Sequence, residues 1–139
     1  MGELGYISKS QDNLNIAYNN LEEYLADLKK ALTTDHPRYK TLGTKVGDEY
    51  IQLNTAIIQI ENEYYSSIRP KRLVGSGERP INALRENGIE YVEIRALDNN
   101  IYDPFGISDE TAIFLESFLF YCLLCEDPVS YTHLTLPTK

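Results

Sequence analysis

The sequence predicts an α+β fold, and three stretches carry that prediction. Gly88–Asp98, GIEYVEIRALD, alternates apolar and polar side chains, the period-2 signature of a strand. From Ser10 to about Thr33, Leu14, Tyr18, Leu21, Leu25, Leu28 and Leu32 recur every three or four residues, the apolar stripe of an amphipathic helix. From Ser108 to about Cys125 the chain is apolar nearly all round, with Asp109 and Glu110 in the first turn. This stretch reads as a helix buried on more than one side, which a 139-residue chain alone would cover poorly, so the chain is expected to be a piece of something larger.

The remaining elements follow from punctuation. Met1–Lys9 opens without a cap or a period of its own, and Ser10 is an expected N-cap. Thr34-Asp35-His36-Pro37 stops the first helix, because proline cannot continue it. His36 is a lone histidine in that loop, read as a surface residue. Arg38–Leu42 fits a short helical turn, and Gly47-Asp48 the bend of a hairpin whose second arm is Glu49–Leu53. Ala56–Tyr65, AIIQIENEYY, reads as a strand with Ile58 and Ile60 on one face and Gln59, Glu61, Glu63 and Tyr65 on the other. Val74–Pro80 is a flexible connection whose glycines lack phosphate-loop spacing. Pro80–Asn87 is a short helix ended by Gly88, and Asp98–Pro104 is turn-rich.

Two stretches carry chemistry. On the Gly88–Asp98 strand, Val92, Ile94 and Ala96 share the face that looks into a core, and Tyr91, Glu93 and Arg95 share the other. Glu93 and Arg95 then stand about 7 Å apart, a spacing that serves a charged site or a solvated outer face equally. Ser66–Arg72, SSIRPKR, gathers Arg69, Lys71 and Arg72 around one proline. Such cations suit phosphate or carboxylate, and an ordinary basic loop has the same composition.

With 139 residues the chain is long enough for one domain with a core. A formal charge of −8 argues against a nucleic-acid surface and is compatible with carboxylates that hold divalent cations. No secretion signal is visible, and the longest apolar run, interrupted by Glu116 and Ser117, is too short to cross a bilayer, so no membrane partner is expected. Cys122 and Cys125 form a lone CxxC on an apolar helix, with no second pair and no nearby histidine; two buried thiols in a cytoplasmic protein are expected, not zinc. Val129–Lys139, VSYTHLTLPTK, continues no upstream period. It resembles the translation of a sequencing-library adapter, so the protein proper is taken as residues 1–128 and residues 129–139 as a non-native tail, a native strand-like tail being the alternative.

The motifs LGYISKSQDNL, QIENEYY, IRPKR and GIEYVEIRALD, followed by an apolar helix, are collinear with the proteobacterial type of glutamate–cysteine ligase, which this sequence resembles over about Met1–Pro128. The resemblance implies a partial catalytic domain, with N- and C-terminal parts of a longer enzyme missing. It implies a glutamine-synthetase-like antiparallel sheet with packed helices, to which the stretches Ile57–Tyr65 and Gly88–Asp98 belong. It further implies ATP-dependent joining of the γ-carboxylate of glutamate to the amine of cysteine through an acyl phosphate, with magnesium and ATP required. By the same resemblance Glu93 is a magnesium ligand, Arg95 binds the transferring phosphate or substrate anion, and Tyr6 and Tyr65 line a cysteine pocket. Arg69, Lys71 and Arg72 are candidate nucleotide contacts, and the roles of Glu61 and Glu63 stay open. A related carboxylate–amine ligase and a non-catalytic binding module are the alternatives.

Overall fold

The computed structural model describes Gln11 and residues 13–125. The architecture is α+β, and the chain divides into two compact units, Met1–Ala96 and Leu97–Lys139. In the first unit, helix α1 spans Leu21–Thr33 and starts much later than the period of leucines predicts. The cause is local. Asn13, Asn15, Asn19 and Asn20 interrupt the preceding stretch, and asparagine competes with the helical backbone for hydrogen bonds. Asn20 is the N-cap, its side-chain oxygen accepting from the Glu23 N–H at 2.9 Å, and Ser10 lies outside the described residues. Residues 14–19 are non-helical, pinned by the Ala17 N–H donating to Asp27 of α1 at 3.0 Å, and Ile16 is buried.

Helix α2 (Pro37–Leu42) carries proline in its first turn, where a missing N–H costs nothing. His36, at its N-cap, is half-buried rather than at the surface, its ring 4.6 Å from that of Tyr39. Strands β1 (Lys45–Val46) and β2 (Glu49–Tyr50) form the expected hairpin, and Gly47 turns it with φ of 62°, a conformation that favours glycine.

Ala56–Tyr65 is not a strand. It contributes one isolated bridge, Asp35 with Ala56, and then a single 3-10 turn at Glu61–Glu63. Polar side chains in and just before it satisfy the main chain instead of projecting from a sheet: Asn54 accepts from the Ala56 N–H at 2.8 Å, and Glu63 accepts from the Gln59 N–H at 2.6 Å. Ile58 is fully buried while Ile60 is exposed, so the two do not share a face.

The partner of the Gly88–Asp98 stretch is β3 (Ile68–Lys71), in the segment that composition alone leaves as a basic loop. It pairs antiparallel with β4 (Tyr91–Ile94), Ile68 opposite Ile94, Arg69 opposite Glu93, Pro70 opposite Val92 and Lys71 opposite Tyr91. Each strand is an edge of this two-stranded sheet, which tolerates Pro70. The apolar face is not fully covered: Ile68 and Val92 border an open groove with Leu21 and Tyr24, and Val92 remains 41% exposed. Helix α3 (Pro80–Asn87) packs on α1, and together they bury Tyr24, Leu25, Leu28, Ile81 and Leu84 around Ile58.

The second unit holds α4 (Asp109–Leu124), capped by Ser108, whose side chain accepts from the Thr111 N–H. None of its residues is buried, the poor cover expected of so apolar a helix in a chain of this length, whereas Cys122 and Cys125, expected as buried thiols, are exposed free thiols. A turn-rich arm and one helix offer too little surface to enclose a 16-residue apolar cylinder. No helix among the described residues is long and apolar enough to cross a membrane.

Candidate functional site

Side-chain alternation puts Arg69 and Lys71 of β3 on the same face as Tyr91, Glu93 and Arg95 of β4 and just beyond it. The ladder continues past the strand ends through the Arg95 N–H to the Ser67 carbonyl at 2.7 Å and the Glu90 N–H to the Lys71 carbonyl at 3.0 Å, so Arg95 is held in register with Glu93. The Arg69 guanidinium donates twice to one oxygen of Glu93, from Nε at 3.0 Å and Nη2 at 2.7 Å. Partial burial pushes the Glu93 carboxyl up, but the Arg69 hydrogen bonds and the charges of Arg69, Lys71 and Arg95 outweigh it, and the net effect holds the group below the usual glutamate range. Glu93 is therefore an anion in the middle of three cations, with its side chain 37% exposed.

The three candidate nucleotide contacts separate here. Arg69 is 7% exposed and spends its donors on Glu93 and on the Asn62 and Tyr64 carbonyls. Arg72 caps α3, donating to the Asn87 and Gly88 carbonyls at 2.7 and 3.1 Å, where a cation also complements the helix dipole. The Lys71 ammonium makes no hydrogen bond or salt bridge among the described residues. It is the cation of the three with donors to spare.

Tyr65 borders a second feature, an open cavity of about 800 Å³ lined also by Gln11, Tyr39, Gln52, Gln59 and Glu63. Gln11 seats Tyr65: its amide donates to the Glu63 carbonyl at 2.7 Å and accepts from the Tyr65 N–H at 3.0 Å, pairing with the main chain as a neighbouring strand would. Gln52 closes the far wall by donating to the Tyr39 and Gly43 carbonyls. Sequence reasoning misses both glutamines, since they carry no period; the only signal was the excess of polar residues around Ile58. Of the two glutamates whose roles stay open, Glu61 pairs with Arg79 at 3.0 Å, and Glu63 accepts from the Gln59 N–H. Tyr6 lies outside the described residues, as do residues 129–139.

Tyr18, Tyr24 and Tyr64 form a tyrosine cluster. The Tyr18 hydroxyl donates to the Ile68 carbonyl at 3.0 Å and sits 3.3 Å from the Tyr64 hydroxyl. Burial pushes the Tyr24 and Tyr64 phenols far above their usual range, so both stay neutral. Among the described residues no group of three or more His, Cys, Asp or Glu side chains converges. Glu93 can thus offer one carboxylate to a divalent cation but does not enclose it with the groups around it.

Comparison with known proteins shows the family. The chain is 53% identical over 133 residues to a glutamate–cysteine ligase of Alcanivorax borkumensis and 48% identical over 129 residues to one of Pseudomonas aeruginosa. The aligned part is 92–93% of this chain but only 24–25% of the relatives, so the chain spans about a quarter of their length. A crystal structure of glutamate–cysteine ligase from Francisella tularensis in complex with AMP superposes with a TM-score of 0.80 at 46% identity, covering 86% of this chain and 24% of that one. The glutamate–cysteine ligase family profile matches residues 1–135, and the chain belongs to that family.

Proposed function

We propose that this chain is a segment of a cytoplasmic, ATP-dependent glutamate–cysteine ligase and supplies one wall of its active site. In the reaction the γ-carboxylate of L-glutamate attacks the terminal phosphorus of ATP and expels ADP, and the amine of L-cysteine, losing a proton, then displaces phosphate from γ-glutamyl phosphate. Both steps concentrate negative charge on transferring phosphoryl oxygens, which catalysis must offset. The single observation that carries the reading is the polar face of β3–β4, where Glu93 is fixed as an anion between Arg69, Lys71 and Arg95.

On that face Arg95 takes the transferring phosphate or the substrate anion, and Lys71, unspent on protein groups, is the contact for nucleotide phosphate. Magnesium, when bound, would neutralise the phosphates, with Glu93 as one of its ligands. Tyr65, 41% exposed at the cavity edge, would present an aromatic face and a phenol to the small amine substrate, together with Tyr6. The γ-carboxylate of glutamate and the triphosphate of ATP repel one another, and such a cationic wall offsets that repulsion.

The test uses the complete ligase polypeptide that carries this segment. With ATP, glutamate and cysteine it should release γ-glutamylcysteine and phosphate, and Arg95→Met should cut turnover by about a hundredfold or more, as loss of a group binding transition-state charge does. Faster turnover with 2-aminobutyrate or putrescine than with cysteine would reassign the amine. Unchanged turnover in Arg95→Met would remove that residue from the site.

A further inference from the structure

Arg69 is the one buried charged side chain among the described residues, and its guanidinium reaches in two directions. Nε and Nη2 donate to Glu93 of β4 at 3.0 and 2.7 Å. Nη1 donates to the Asn62 carbonyl at 3.2 Å and the Tyr64 carbonyl at 3.3 Å. The groups that alternate with those carbonyls, the Glu63 carbonyl and the Tyr65 N–H, are taken by Gln11. The Asn62–Tyr65 backbone is therefore gripped by two side chains, and one of them also holds the carboxylate of the polar face.

We propose that Arg69 is a positioning residue of the ligase: it locks the Glu93 carboxylate and the Glu63–Tyr65 wall of the cavity into one unit, so that the phosphoryl end and the amine end of the site keep a fixed separation. This rests on the functional reading above. A lysine cannot substitute, because one ammonium on a flexible stem cannot bond Glu93 in a fork and also reach two carbonyls. Misplacing reacting groups by about an ångström can cost about a hundredfold in rate, so such a lock bears directly on turnover.

Two arms test the proposal. In the complete ligase, Arg69→Met should lower kcat by about tenfold or more and raise KM for cysteine by roughly fivefold per folded molecule, reporting both ends of the lock. Arg69→Lys, which keeps the charge, should recover folded protein but not the KM. A residue needed only for folding would lower the folded fraction and leave KM untouched. Values of kcat and KM within about twofold of wild type in both variants overturn the proposal. In the 139-residue chain, amide hydrogen exchange at Tyr65 should speed up by about tenfold in Arg69→Lys while Leu28 in α1 keeps its protection. Unchanged exchange at Tyr65 overturns the lock. If the wild-type ligase does not ligate cysteine, the functional reading fails, and the exchange arm still decides whether Arg69 holds the segment.

Discussion

Glu93 shows how a single side chain acquires its character from its neighbours. Its ionised form is favoured by Arg69, Lys71 and Arg95, so its contribution to folding is present above the usual glutamate range and is lost as pH falls through it. Glu93→Gln should therefore be less stable than wild type at pH 7, with the gap narrowing as pH drops below about 4.3, the ordinary value for glutamate. Urea unfolding of both chains across that range checks the sign. Removing the carboxylate also leaves the buried Arg69 without its anion, a change that costs a few kcal/mol when a pair is fully buried; with Glu93 37% exposed, about 1–2 kcal/mol is expected. In the complete ligase the same substitution should raise the magnesium requirement and cut turnover strongly. Unchanged kinetics would overturn the proposal that Glu93 is a magnesium ligand.

At the scale of elements, the caps decide where helices begin. Asn20→Ala should lower stability by about 1 kcal/mol, read as a shift of the urea midpoint, because it orphans the Glu23 N–H. Ile58→Ala should cost about 2–4 kcal/mol, since Ile58 is fully buried in the core cluster it shares with α1 and α3 and its loss leaves a cavity. The same elements show what a sequence discloses. Pro80–Asn87 with Gly88, and Ser108 followed by Asp109 and Glu110, are legible because cap, breaker and period agree. The α1 start is displaced because the leucine period runs straight through the asparagines that end it. Ala56–Tyr65 looks like a strand by its β-branched run, yet Asn54, Gln59 and Glu63 bind nearby main chain and coil it. The shared face of Glu93 and Arg95 follows from alternation alone. That Arg69 lies opposite Glu93 depends on strand register, which Pro70 conceals, and so the arginine that holds the carboxylate resembles a free basic residue until the sheet is seen.

At the scale of the whole molecule, both the fold and the chemistry are open. Phe114 and Leu124 on α4 are 64% and 80% exposed, and the groove at Ile68 and Val92 is only partly covered, which is much apolar surface for so small a chain. The polar face offers cations and one carboxylate, whereas phosphoryl transfer from ATP needs enough ligands to hold a divalent cation, and no such cluster exists among the described residues. The chain spans about a quarter of its relatives' length, which leaves most of their surface and side chains unaccounted for. The 139-residue chain should accordingly release no γ-glutamylcysteine from glutamate, cysteine, ATP and magnesium, even at high enzyme concentration and long incubation. Mass spectrometry of the dipeptide, with phosphate release measured in parallel, checks it. Phosphate release that depends on glutamate but not on cysteine would show that this segment activates the carboxylate unaided, and would place the whole phosphoryl-transfer machinery on the β3–β4 face.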